Sequence, residues 1–420
     1  MSDVLRRRAA LDEVLESSAM QAQLPARDAA LARAIATVTF RHLGLIRAAL
    51  AERLSKGLPP DERLFALLAT GAAQILFLDV PDHAAVDLSV RLAHGERSLR
   101  DAGGLINAIL RRVAREREAI LAQADPLHAD TPDWLAARWI GTYGLEGARA
   151  IAAGHAGAAA VDLTVKADPE DWAGRLGGIL LPTGSVRLTE RTPIRELPGY
   201  AEGAWWVQDA AAALPARLLA PRPGERIVDL CAAPGGKTAQ LASAGAQVLA
   251  VDRSAKRLRR LQENMERLQL AVQVRATDAL GLEDDSFDAV LLDAPCSATG
   301  TIRRHPDVAW TKRPEDVAKL AYLQRRLLDK AATLVRPGGR LVYCTCSLEP
   351  EEGEGQVEAF LKRQPLFSLV PIQAEEVGGL RELLDGRGDM RTLPWHLAAL
   401  SPVRAGLDGF YAARLVRRAD

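Results

Sequence analysis

The chain has 420 residues with Lys+Arg and Asp+Glu equal at 54 each, a balance that excludes no partner class, because nucleic-acid binding rests on a local basic patch and not on a total. Hydrophobic residues at 48% and charged residues at 26% exclude a disordered chain, and the length exceeds what one core supports, so two or three domains are expected. Four cysteines exclude a disulfide framework. The N-terminal MSDVLRRRAALDEVL lacks an apolar signal core, and no apolar run reaches the roughly 18 residues of a membrane span. The expectation is a cytoplasmic protein with free thiols and no membrane association.

Residues 1–128 read as helix throughout, rich in Ala, Leu and Arg with apolar residues at three- and four-residue spacing. Leu64, Leu67, Leu68, Ala72, Ile75 and Leu78 form one stripe, while Pro59-Pro60-Asp61, Asp79-Val80-Pro81-Asp82 and Gly103-Gly104 punctuate the helices. Residues 129–204 read as an α+β connector, with helices over 134–143 and 146–153, a short strand over 161–166, and loops at Pro182, Pro193 and Pro198. From 205 to 420 the pattern becomes α/β. Strands at 226–230, 247–252, 272–278, 288–295 and 340–346 are separated by helices at 237–244, 254–268 and 314–335. Apolar strands with helical crossovers predict a largely parallel, doubly wound sheet that binds ligands at its strand C-termini.

DLCAAPGGKT (229–238) lies between a strand and a helix. Its glycines let backbone N–H groups approach a ligand at a helix start. A P-loop would need Gly where Cys231 stands, and the G-x-G-x-x-G dinucleotide pattern is absent, which leaves an S-adenosylmethionine site. Cys231, Ala232, Ala233, Pro234, Gly235, Gly236 and Lys237 are the candidate binding loop. Asp252, Asp278 and Asp293 end successive strands, where carboxylates suit hydroxyl and amine donors. DAVLLDAP also resembles the strand that holds magnesium in ATPases, but no P-loop accompanies it.

Cys296, Cys344 and Cys346 fall at the same strand ends. No Cys-x-x-Cys or neighbouring His pair completes a zinc set, so no metal is expected. Cys231 and Cys344 read as buried small residues. Two thiols suit methylation at carbon 5 of a cytosine. A thiolate adding to carbon 6 makes carbon 5 nucleophilic, and afterwards the carbon 5 proton must leave and the thiol be eliminated. A carboxyl such as Asp293 can support ring nitrogen 3, and the base has to be unstacked to be reached.

DLCAAPGGKT, DAPCSATG (293–300) and YCTCS (343–347) resemble, in order, the cofactor, Pro-Cys and Thr-Cys motifs of the Nop/Sun family of RNA 5-methylcytosine methyltransferases. WWVQDAAA (205–212), RRHPD (303–307) and DGFYAARL (408–415) are similar to it as well. The resemblance implies Cys346 as nucleophile, Cys296 as the thiol assisting breakdown of the adduct, and Asp293 as a carboxyl engaging the cytosine. It also makes Arg303, Arg304 and His305 candidate RNA contacts. The strand where the family carries Arg-Val-Asn reads LTVK (163–166), so no RNA contact is assigned there. Residues 66–93 and 103–113 resemble the NusB-type RNA-binding fold. The implied fold is thus an all-α NusB-like domain followed by an α/β Rossmann-like methyltransferase domain, with small-subunit (16S) ribosomal RNA as partner and substrate. Arg6–Arg8 and Arg111–Arg117 are candidates for a basic stripe. A monomer is the working expectation for oligomeric state. A transfer RNA substrate for the same chemistry, or a non-catalytic NusB-like RNA-binding factor, are the alternatives.

Overall fold

The computed structural model describes residues 1–190, 192–283, 286–397 and 405–419. The chain divides into two units, Met1–Ala158 with Ile302–Arg313, and Ala159–Thr301 with Pro314–Asp420. The segment expected as a connector is therefore shared: the helix Asp133–Ala156 lies in the first unit, and its strands, with the short helix Pro169–Arg175, in the second.

The first unit is helical. Its central helix, Glu62–Phe77, packs against Ala26–Arg41, Leu43–Arg53, Asp82–Gly95 and Gly103–Arg115. Asp61 starts it by accepting from Arg63 N (2.8 Å) and Leu64 N (3.2 Å). With neighbours on several sides, Phe65, Ala69 and Leu76 are buried along with Leu68, Ala72 and Ile75, a wider face than the single stripe expected. Leu64, Leu67 and Leu78 are only half-buried. The two helices read over 134–143 and 146–153 join as Asp133–Ala156 across Gly144, which takes φ 73°, a conformation suited to glycine.

Ile302–Arg313 folds with these helices. Trp310 packs on their core and donates its indole N–H to Phe40 O (2.8 Å), and Asp307 accepts Leu11 N (3.0 Å). An apolar Trp and a capping carboxylate explain why this stretch settles there. Arg111, Arg112 and Arg115 lie exposed on Gly103–Arg115.

The second unit holds two sheets. A four-stranded antiparallel sheet has the order β2-β3-β1-β4, with β1 (Asp162–Val165), β2 (Ile179–Leu180), β3 (Val186–Arg187) and β4 (Trp205–Val207). Arg187 and Asp162, both fully buried, pair at 2.6 and 2.7 Å across β3 and β1. The larger sheet is built from β5 (Arg226–Leu230), β6 (Gln247–Asp252), β7 (Gln273–Ala276), β8 (Phe287–Asp293), β9 (Val335–Thr345), β10 (Phe367–Leu369), β11 (Met390–Thr392) and β12 (Phe410–Arg417). Its order is β10-β12-β9-β8-β5-β6-β7, with β11 pairing β12.

β7, β6, β5, β8 and β9 are mutually parallel, as expected. The sequence reading did not foresee β10, β11 and β12, which join antiparallel and make the sheet mixed. The chain runs outward from β5 to β7 and returns to β8 on the other side of β5. In such sheets ligands bind beyond the strand C-termini at the reversal, which here means the ends of β5 and β8.

Candidate active site

The groups expected to carry chemistry, apart from the Arg303–His305 segment, lie at the C-terminal ends of the parallel strands around this reversal, with Asp278 furthest out beyond the edge strand β7. Cys231 to Gly235 form the turn between β5 and the helix Gly236–Ser243. Gly235 caps that helix at φ 103°, and a β-carbon there would meet Leu261 at 2.7 Å. Cys231 also sits at positive φ (63°), and burial pushes its thiol up to about 12. It is an inert lining group rather than a nucleophile.

Asp252 ends β6 and is 3% exposed. Its carboxylate accepts Ser254 N (2.9 Å) and Ala233 N (3.3 Å) and pairs with Arg257 (3.3 Å), whose guanidinium also donates to Ala233 O. Asp278 follows β7, is exposed, and accepts Leu280 N at 3.0 Å. Asp293 ends β8 beside Cys344, its register partner on β9. It forms an ion pair with Lys237 Nζ at 2.8 Å, and the same ammonium lies 4.8 Å from the centre of the Phe410 ring. Burial alone would lower the pKa of Lys237, but the Asp293 carboxylate and the other acidic groups around it together outweigh that and hold the ammonium charged. Beneath them Asp229, fully buried, accepts Thr238 Oγ1 at 2.6 Å. Burial raises its carboxyl to about 7.

A glycine turn at a helix start after β5, with carboxylates at the ends of β8 and β6 on either side and beyond β7, fits a cofactor carrying hydroxyl, amine and cationic groups. Among the described residues, no cluster of three or more His, Cys, Asp or Glu is arranged for a metal ion.

The two motif cysteines converge although 50 residues separate them. Cys296 Sγ and Cys346 Sγ lie 3.4 Å apart, on the loops that follow β8 and β9, and both are partly exposed. The hydrogen bond with Cys346, followed by burial, pushes the Cys296 thiol well above its ordinary value. Cys344 is buried, with Sγ 3.6 Å from Asp293 Oδ1, and burial raises its pKa strongly. Gly300 N donates to Cys346 O (3.0 Å), and a β-carbon on Gly300 would come within 1.9 Å of Gly409 O. That approach fixes glycine at this position.

Arg303, Arg304 and His305 lie in the helical unit. Arg303 is 3% exposed and its carbonyl accepts from Arg41 (2.8 Å), so its side chain is not offered to a ligand. His305 is exposed and pairs with Asp12 at 3.2 Å, and Arg304 is half-buried. Arg257, Phe410, Ser297, Ser347, Gln324 and Glu352 join the site without having been read from the sequence. The acidic run LEPEEGE after the Thr-Cys motif was the available signal for Glu352, but spacing alone does not tell a buried carboxylate from a solvated one.

Fold and site together define a Rossmann-like, S-adenosylmethionine-dependent methyltransferase joined to a helical domain. Residues 216–416 match the family described as 16S rRNA methyltransferase RsmB/F, and residues 1–115 match the NusB family. The chain is similar to ribosomal RNA small subunit methyltransferase B of Vibrio cholerae, at 38% identity over 95% of this chain and 92% of that one. Among solved structures it is similar to PH0851 (27% identity, TM-score 0.76, 93% of this chain and 90% of that one). It also resembles a methyltransferase homologue from Pyrococcus horikoshii (28% identity, TM-score 0.56, 68% and 95%). The chain belongs to the RsmB/F family of 16S rRNA methyltransferases, whose cofactor is S-adenosylmethionine. No single helix among the described residues is long and apolar enough to cross a membrane.

Proposed function

We propose that this enzyme methylates carbon 5 of a cytosine in small-subunit (16S) ribosomal RNA through a transient bond between Cys346 and carbon 6. The observation that carries the reading is the pair of sulfurs, Cys296 and Cys346, 3.4 Å apart at the strand ends that also bear Asp293 and the cofactor loop. Methylation at a heteroatom needs no thiol, whereas carbon 5 needs one to become electron-rich and benefits from a second to leave.

The Cys346 thiolate adds to carbon 6, and the electron pair displaced through the ring is received at nitrogen 3, which takes up a proton; the Asp293 carboxylate accepts a hydrogen bond from that N–H until the proton is given back when the ring is restored. Lys237 holds Asp293 at 2.8 Å and fixes its direction. Bound S-adenosylmethionine supplies the electrophilic methyl group. Burial and the hydrogen bond with Cys346 keep the Cys296 proton in place while Cys346 adds. Once the methyl is in place, Cys296 gives its own proton to solvent and its thiolate takes the carbon 5 proton; the freed electron pair re-forms the carbon 5–carbon 6 double bond and expels Cys346 as thiolate. The loop Cys231–Lys237 with Asp252 and Asp278 holds the cofactor. Arg304 and His305, which reach the surface, are kept as RNA contacts. Arg303 is not.

Bisulfite sequencing of 16S ribosomal RNA from cells with and without the gene tests the substrate. One cytosine is expected to lose its protection in the deletion and regain it when the gene is restored. An unchanged pattern overturns the assignment.

A further inference from the structure

Glu352 is fully buried just behind the cysteines, on a short turn over Pro350–Glu352. Its carboxylate Oε1 accepts Ser297 N (2.9 Å) and Gln324 Nε2 (3.0 Å), and Oε2 accepts Ser297 Oγ (2.5 Å) and Ser347 Oγ (2.6 Å). Ser297 and Ser347 directly follow Cys296 and Cys346. The carboxylate thus joins the residue after one thiol to the residue after the other. Gln324 extends the tie by donating to Pro295 O (2.9 Å), the residue before Cys296. The Glu352 carbonyl is pinned in turn by Tyr343 Oη (2.7 Å) and Thr345 Oγ1 (3.2 Å), both on β9.

A buried carboxylate is expensive unless donors surround it. Here the backbone N–H, two hydroxyls and one amide that surround it come from the cysteine loops and their supporting helix. Apolar packing would hold two loops together without setting their register. A carboxylate with four donors at 2.5–3.0 Å sets the register to within a few tenths of an ångström. Its charge also adds to the burial and hydrogen bond that keep Cys296 protonated.

We infer that Glu352 is a positioning residue that sets the separation of the Cys296 and Cys346 thiols. It touches neither substrate nor cofactor and acts through the two serines. The role in turnover rests on the covalent reading above; the geometric role does not.

The test compares Glu352→Ala, Glu352→Gln and Ser297→Ala in the full-length protein by two readouts. The first is the rate at which diamide oxidises Cys296 and Cys346 to a disulfide, followed by peptide mass mapping; two thiols lose two electrons and two protons to the reagent. The second is kcat on 16S ribosomal RNA beside the Kd for S-adenosylmethionine. Glu352→Ala is expected to slow disulfide formation at least tenfold and kcat by about 100-fold, the scale of an ångström of misplacement, with Kd changed less than threefold. Glu352→Gln still accepts through one oxygen, and the serine hydroxyls can turn to accept from its amide, so it is expected to recover most of both rates. Ser297→Ala keeps the backbone bond and is expected to fall between them, which retains a test if Glu352→Ala does not fold. Wild-type disulfide and turnover rates in Glu352→Ala, or in Ser297→Ala where the former is unfolded, overturn the proposal. Slowed disulfide formation in an enzyme whose Cys346→Ala variant is fully active would sink the covalent reading and leave the geometric role standing.

Discussion

Asp229→Asn offers a sharp check on the electrostatics beneath the cofactor loop. Asp229 is fully buried, Thr238 reaches one oxygen, and the other has no hydrogen-bond partner among the described residues. Burial therefore favours the neutral acid and moves the carboxyl from 3.8 to about 7. The folded chain keeps a proton there that the unfolded chain has released, so stability falls as pH rises from about 4 to about 7 and levels off above. That range corresponds to about 4 kcal/mol, of which about 3 falls between pH 5 and 8. Asparagine is neutral throughout and its side-chain oxygen can still accept from Thr238. Urea unfolding at pH 5, 6, 7 and 8, read through hydrogen exchange of peptides spanning β5, isolates this region. The wild type is expected to lose about 3 kcal/mol more than Asp229→Asn across the series. Parallel curves for the two proteins would refute the reasoning.

Asp293→Asn is expected to lower kcat by 10²–10⁴-fold while the Kd for S-adenosylmethionine changes less than tenfold, because the lost carboxyl serves the transition state; single-turnover kinetics with equilibrium binding checks it. With its thiol pushed up to about 12, Cys231 is only about 1 part in 10⁴ thiolate at pH 8. Iodoacetamide should leave it and buried Cys344 unlabelled in the folded protein, as mass mapping of the alkylated chain will report. Gly300→Ala drives a β-carbon into the Gly409 carbonyl at 1.9 Å and should destabilise the second unit by about 3 kcal/mol or more, measured by denaturant unfolding. His155 is 6% exposed, neither ring nitrogen has a partner among the described residues, and burial lowers its pKa to about 3. Its folded form resists protonation, so stability declines as pH falls below about 6.5. His155→Leu should remove that decline, worth about 2 kcal/mol between pH 7 and 5, and Tm against pH for both proteins tests it.

The parallel half of the large sheet was legible because its strands are short apolar runs separated by clearly amphipathic helices. Strands read at 226–230 and 247–252 stand at those residues in the fold. β12 escaped because FYAARLVR is largely buried on both faces, so it has no alternation to read. Arg303, Arg304 and His305 were read as candidate RNA contacts, yet Trp310 and Asp307 draw their loop into the helical unit, where Arg303 is buried. Cys296 and Cys346 were readable as a pair from their motifs alone. Glu352 was not, since nothing in an acidic run tells which member turns inward to meet two serines and a glutamine.

The central claim is a bond between Cys346 and the target pyrimidine. Its most direct measurement is the mass of denatured Cys296→Ala protein after incubation with S-adenosylmethionine and a 16S ribosomal RNA fragment bearing the target cytosine in unmethylated form. The account predicts a species with the combined mass of protein and methylated RNA, attached at Cys346 and missing from the Cys296→Ala, Cys346→Ala double variant. Wild-type methylation of carbon 5 by Cys346→Ala alone would contradict it.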